Sequence, residues 1–345
     1  MSKVVTLGEI MLRLKSPNKD RFFQSPSFEA TFGGGEANVA VSLSILGKDV
    51  FFVTAVPDNP MGEAAISELK KYGVNTQFIN KEKNGRLGIY FLEEGACNRP
   101  SVVVYDREGS AISKAKSTDF QWENIFQDAN WFHITGITPA ISENAGNLSL
   151  DAVKEAKKRG LTVSVDLNYR KKLWNYGKNP PEVMGEIVKY ADILIANEED
   201  IQKSLGIDLE KEDFAISDLK IESYKKLIKL VQNKYPNINF VAVTLRESFS
   251  ADKNAWSAIL SSKNDLYISK KYLIEDIVDR VGGGDAFSAG LIFALSEYKN
   301  DFQFSLDFAV AASCLKHTFS GDFNLARKSE ILALVNGNTS GRVQR

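Results

Sequence analysis

The chain alternates short, β-rich apolar runs with segments of helical periodicity. Val4–Gly8, Val50–Val56, Trp131–Thr135, Thr162–Asp166, Ile193–Ala196 and Phe240–Thr244 read as strands, being rich in β-branched and aromatic residues. Between them Glu36–Leu46, Gly62–Tyr72, Asn144–Arg159, Glu222–Lys234 and the segment after Asp285 repeat apolar residues at helical spacing, and Gly73 and Gly160 stop two of these. This alternation predicts an α/β fold of βαβ units, with a parallel sheet covered by helices on both faces. Such sheets bind ligands beyond the carboxyl ends of their strands. Gly8, Asp166, Asn197 and Thr244 all fall at predicted strand ends.

Two segments, about 12–32 and 86–107, break the alternation. They are strand-like and joined to the core at both ends, which predicts an antiparallel flap at the ligand-binding edge. A small sheet with an apolar outer face needs a partner, so the flap is expected to cover a substrate, to pair with a second subunit in a homo-oligomer, or both. With no internal repeat and no low-complexity linker, residues 1–345 are read as a single domain carrying two lid insertions.

At 345 residues, 43% hydrophobic and 25% charged, the composition is that of an ordinary globular protein. A net charge of −1 argues against nucleic-acid and membrane-surface roles. Cys97 and Cys314 lie far apart with no paired spacing, which argues against a disulfide framework or a cysteine zinc site. The first residues enter a strand-like run without a signal-peptide pattern, and no apolar stretch reaches the length of a membrane span; a cytoplasmic setting is expected.

The candidate chemistry lies in Asp279-Arg-Val-Gly-Gly-Gly-Asp-Ala-Phe-Ser-Ala-Gly290. A glycine run entering a helix leaves backbone N–H groups unpaired at the positive end of the helix dipole, which suits a phosphate. Asp285 would be repelled by that phosphate unless it takes the proton of an attacking hydroxyl, and this reading is phosphoryl transfer to an alcohol. Alone, the segment is equally compatible with a structural turn. A second glycine turn, Thr31-Phe-Gly-Gly-Gly-Glu-Ala-Asn38, also opens a helix, and Asn38 in an otherwise apolar first turn calls for hydrogen-bond partners that a sugar hydroxyl could supply.

Taken together, the two glycine clusters resemble the N- and C-terminal signatures of the ribokinase-like (PfkB) sugar kinases, with order and spacing preserved over nearly the whole chain. The resemblance implies a three-layer α/β/α sandwich with a mostly parallel central sheet and a small β-sheet lid. It implies Asp285 as catalytic base, an anion hole from Gly282, Gly283 and Gly284, and sugar contacts from Gly34, Gly35 and Asn38. It further implies ATP and Mg2+, with a monovalent cation as an additional candidate. ATP contacts would come from Asn197, Thr244, Arg246, Gly282, Gly284 and His317. The pattern departs from the family in two places. Arg280 stands where a threonine is usual, to face either the nucleotide phosphates or solvent, and Gly283 where an alanine is usual. The magnesium element Asn-x-x-Glu is matched by Asn197-Glu-Glu-Asp200, so that Glu199 or Asp200 could act on the metal through water.

Cationic and phenolic groups sit where a sugar should lie. Asp166-Leu-Asn168-Tyr-Arg170 follows a strand end, and the lid carries Tyr90, Tyr105 and Arg107. Two arginines converging on one pocket suggest an anionic substrate group, since guanidinium holds a carboxylate through two parallel hydrogen bonds; a surface ion pair is the competing reading for either one. These elements are similar to those of 2-keto-3-deoxygluconate kinases. That resemblance implies phosphorylation of the sugar acid at its terminal hydroxyl, with Arg107 and Arg170 on the carboxylate, Tyr90 and Tyr105 along the chain, and Asn168 beside them. A fructokinase- or ribokinase-like kinase of neutral sugars is the alternative enzyme, and a catalytically silent sugar- or nucleotide-binding protein the alternative from another class. His133, Trp174, Lys114 and Lys116 are expected to serve packing or solvation, and Glu9 is either a substrate carboxylate contact or a strand-end residue.

Overall fold

In the computed structural model, which describes residues 3–208, 219–263 and 265–338, successive strand residues face opposite layers of helices. Val4 packs into one core and Val5 into the other, and Trp131 and Phe132 divide in the same way. In chain order the strands are β1 (Lys3–Leu7), β2 (Met11–Lys15), β3 (Glu29–Gly33), β4 (Asp49–Pro57), β5 (Ile79–Glu82), β6 (Gly88–Glu93), β7 (Val102–Asp106), β8 (Ala129–Thr135), β9 (Thr162–Asp166), β10 (Ile193–Ala196), β11 (Phe240–Ser248), β12 (Asn254–Ser261), β13 (Leu266–Ile268) and β14 (Tyr272–Ile274). The main sheet runs β13-β12-β11-β10-β9-β8-β1-β4-β5, with β14 also on β12. It is parallel from β11 to β5, and only β12, β13 and β14 pair antiparallel. The predicted strands are all present, and the expected ribokinase-like α/β sandwich is the architecture observed.

Helices Gly35–Ile45, Gly283–Glu297 and Phe302–Lys316 bury Val39, Leu43, Phe287 and Phe308 on one face of the sheet. Helices Glu143–Lys158, Pro180–Val188 and Leu219–Lys234 bury Leu148, Ile187 and Leu227 on the other. The helix after the glycine turn is buried along most of its length because it lies sandwiched against Phe302–Lys316. Gly290 lets the two backbones meet, since a Cβ there would sit 2.9 Å from Ala309 Cα. Among the described residues no helix is long and apolar enough to cross a membrane.

The flap is a separate four-stranded sheet of order β3-β2-β6-β7. The outer pairs are antiparallel as expected, but β2 and β6 are parallel, so the sheet is mixed. The cause is topological. β1 and β5 run in the same direction in the main sheet, and each continues off it into the lid after a short connection.

Candidate active site

Two glycine turns, the ends of two strands and the middle of a third meet in one cleft. Its cavity of about 520 Å³ is lined by Gly34, Gly35 and Asn38 from the first turn and by Gly282, Gly283, Gly284 and Asp285 from the second. Asp166, Asn168, Arg170, Asn197, Glu199 and Asp200 line it from the ends of β9 and β10. Thr244 and Arg246 line it from within β11, which continues to Ser248 through its pairing with β12 instead of ending at Thr244 as expected, and Met11, Tyr90, Val103 and Tyr105 line it from the lid. Gly8 does not reach it. That glycine lies against the side chain of Glu36, which leaves no room for a Cβ.

Gly282 begins the second glycine turn in the left-handed region, at φ 85°, and a side chain there would also strike the Asp322 carbonyl. The helix beginning at Gly283 therefore presents its free amides to the cleft, with Asp285 in its first turn. Helix Gly35–Ile45 points its own N-terminus at the same place, and the two are joined by one hydrogen bond: Asn38 Nδ2 donates to Asp285 Oδ2 at 2.7 Å. Asn38 Oδ1 in turn accepts from Gly34 N at 3.2 Å. The partners that Asn38 requires thus come from the protein itself.

Burial pushes the Asp285 carboxyl up to about 6, against the pull of the Asn38 hydrogen bond. Two further acids share its surroundings. Asp166 is raised well above the usual range, by burial first and then by the charges of Asp200 and Asp285; it accepts from Ser288 Oγ at 3.1 Å. Asp200 is pushed up to about 6 by burial, although it accepts from Tyr169 N at 2.9 Å and Asn197 N at 3.2 Å. The positive charge of Arg170, itself exposed, lowers all three. Asp200 is thereby committed to capping helix Glu198–Leu205, whereas the neighbouring Glu199 is exposed on the cavity rim. Among the described residues no three acidic, histidine or cysteine side chains group as a metal cage. A magnesium ion that arrives on the nucleotide, with phosphate and water oxygens as most of its ligands, suits this arrangement.

The two arginines expected on a substrate carboxylate are not in equivalent places. Arg170 lines the cavity and donates to the Tyr169 carbonyl at 2.9 Å. Arg107 is buried, stacks on the Tyr105 ring at 5.6 Å, and is ion-paired with the equally buried Glu9. Tyr90 and Tyr105 face each other across β6 and β7, with ring centres 6.1 Å apart. His317 lies beneath the glycine turn rather than in the cavity: its ring abuts Gly283, and Nδ1 sits 2.8 Å from the Ser313 carbonyl. Burial lowers it to about 4, so the ring is neutral at physiological pH. His133 is fully buried against Ser164 and Trp174 stacks on Tyr176, both as packing groups, and Lys114 and Lys116 are exposed.

The sequence reading missed what lies under the site. Arg13, 1% exposed, is ion-paired with Asp279 at the base of the glycine turn and donates to Asp322 at 2.6 Å. Tyr90 Oη donates to the same Asp322 oxygen at 2.6 Å. The fully buried Lys316 donates to the carbonyls of Asp279 and Phe319 at 3.2 and 3.3 Å. The lid is therefore bolted to the turn that carries Asp285.

A family model described as pfkB family carbohydrate kinase matches residues 1–326. The crystal structure of a 2-dehydro-3-deoxygluconokinase from Thermotoga maritima superposes with a TM-score of 0.90 at 49% identity, over 97% of this chain and 98% of that one. A 2-dehydro-3-deoxygalactonokinase of Haloferax volcanii is 29% identical over 343 residues, covering 99% of this chain and 98% of its own. A 2-dehydro-3-deoxygluconokinase of Thermoproteus tenax is 26% identical over 325 residues, covering 93% and 90%.

Proposed function

The chain belongs to the pfkB family of carbohydrate kinases, and from that premise we propose that it transfers the γ-phosphoryl group of ATP to the terminal hydroxyl of 2-keto-3-deoxy-D-gluconate. The observation that carries the chemistry is Asp285, nearly buried in the cleft, held by Asn38 and placed in the first turn of a helix whose free amides face the same space. The kinship with sugar-acid kinases at up to 49% identity supports the substrate.

Asn38 fixes one carboxylate oxygen of Asp285. The other lies beside Gly35, where a Cβ would sit 3.7 Å away, and is open to a hydroxyl. That oxygen takes the proton as the substrate hydroxyl attacks phosphorus. The amides of Gly282, Gly283 and Gly284 receive the charge that spreads over the transferred group. MgATP enters as the co-substrate between Asn197, Thr244 and Arg246, with Glu199 on the rim as the side chain that would reach its metal through water. Met11, Tyr90, Val103 and Tyr105 close the sugar side and exclude water. Arg170 binds the substrate carboxylate: it lines the cavity with no ion pair among the described residues to break, and it is the arginine whose charge acts on Asp285 and Asp166. Arg107 joins it only by exchanging Glu9 for the ligand.

The galactonate epimer is a second reading, favoured by the Haloferax volcanii relative. An ADP-release assay offering both epimers, fructose and ribose tests the proposal. Turnover on a keto-deoxy sugar acid well above that on the neutral sugars is the expected result, and preference for a neutral sugar would overturn it.

A further inference from the structure

Arg280 stands two residues before the glycine turn, and the transfer just described leaves it without a task. It lines the cavity beside Arg246, which projects from β11 on the same side as Thr244. Arg280 Nη2 donates to Asn254 Oδ1 at 3.0 Å, a neutral partner, and its Nε is buried with no partner. Neither arginine has a carboxylate within ion-pair distance among the described residues. The nearest acids are already engaged: Asp252 with Lys19 and the Cys97 amide, Asp200 with two backbone amides, and Glu198 with the Tyr224 hydroxyl. Burial disfavours the charged form of both, and Arg246 is further disfavoured by the charges of Arg280 and Arg170. Arg280 is half-buried and Arg246 is exposed at the cavity wall, and two guanidinium groups of like charge facing one cavity repel each other, a repulsion that a bound anion would relieve. The anion must carry more than one negative charge and offer oxygens to planar donors at the mouth of an amide-lined turn. A polyphosphate fits that description, whereas a single sugar carboxylate would leave one guanidinium unmatched.

We propose that Arg280 and Arg246 form a two-guanidinium clamp on the polyphosphate of the nucleoside triphosphate, with Arg280 a catalytic residue that binds the departing diphosphate. The inference rests on the kinase reading of the cleft. In the transfer, a bond forms between the sugar oxygen and phosphorus, and the bond from phosphorus to the bridging oxygen breaks. The hydroxyl proton goes to Asp285 and the negative charge grows on the diphosphate, where Arg280 meets it. Asn254 is a positioning residue: it orients the guanidinium without neutralising it, which a carboxylate at that place would do.

The test is calorimetric binding of MgATP and of AMP, without sugar, to the wild type, Arg280→Gln and Arg280→Lys, together with steady-state kinetics. Arg280→Gln is expected to weaken MgATP at least tenfold and leave AMP unchanged. It should lower kcat on the order of a hundredfold with the sugar KM unmoved, and lysine should restore part of both. Equal weakening of MgATP and AMP would mark Arg280 as merely structural and overturn the proposal, as would wild-type MgATP affinity and kcat in Arg280→Gln. Should glutamine lower the melting temperature sharply, Arg280→Lys carries the same comparison. A wild type that turns over no sugar, yet prefers MgATP to AMP through Arg280, would sink the sugar-acid reading and leave the clamp standing.

Discussion

Asn38 and Asp285, 247 positions apart in sequence, meet at 2.7 Å where the N-termini of two helices converge. The amide fixes the carboxylate and offsets part of the burial that lifts it to about 6. A base raised in this way is still ionised at neutral pH but closer in proton affinity to the alcohol it serves. Replacing Asn38 by alanine or leucine removes both effects. We expect kcat to fall on the order of tenfold or more and the acidic limb of its pH profile to move upward. A pH–rate profile of the variant checks both.

With Asp285 as the proposed base, activity requires its ionised form, so wild-type kcat/KM should fall with unit slope as pH drops through about 6. A profile flat down to the ordinary aspartate range near 4 would contradict burial as the controlling influence on this carboxyl.

Asp285→Asn should abolish turnover and stabilise the fold. The folded-state value of about 6 lies above the ordinary aspartate value of 3.8, so the native carboxylate opposes folding once pH exceeds the unfolded value, and fully so above about 6. At about 1.4 kcal/mol per pH unit the upper bound on the gain is about 3 kcal/mol at neutral pH. The gain should vanish below about pH 4, where both states are protonated. Denaturant titrations of the two proteins at pH 7.5 and pH 4 read it directly.

How much of this was open to sequence reading depended on the range of the interaction. Periodicity gave the strands from Val4 to Thr244 and the layers, because burial on both sheet faces writes itself into local pattern. The glycine turns and Asp285 were legible because backbone amides at a helix start need no distant partner to be recognised. The parallel β2–β6 pairing was not, since it depends on where the chain leaves the main sheet. Nor was the role of Asn38 in holding the base, or the tie between Arg107 and Glu9, since each joins residues remote in sequence. Arg13 alternates in β2 like a solvent-facing residue, and only the fold shows two aspartates waiting for it.

That buried arginine supports a stability prediction. Arg13→Ala would take the guanidinium from Asp279 and Asp322 and leave them only Tyr90, backbone amides and the nearby Lys316 charge, and removing one partner of such a buried cluster costs about 3–5 kcal/mol. Arg13→Met, which fills the space, should be nearly as damaging because the two carboxylates remain. Chemical denaturation of both variants checks this; a loss below about 1 kcal/mol would mean the cluster is not holding the lid to the turn.

Substrate choice is assigned to Arg170 before Arg107. Arg170→Ala should raise KM for the keto-deoxy sugar acid about 10- to 100-fold, the worth of a charged hydrogen bond, and leave KM for neutral sugars in place. Glu9→Gln should release Arg107 and lower KM for the acid. Parallel kinetics on the acid and on fructose separate this from a general loss of activity.

The most direct test of the central claim is ADP release by the wild type and Asp285→Asn with 2-keto-3-deoxygluconate, its galactonate epimer, fructose and ribose. The account predicts that a sugar acid is turned over best by the wild type, and that the variant still binds MgATP but releases no ADP with any of the four. A neutral sugar preferred by the wild type, or ADP release surviving in Asp285→Asn, would contradict it.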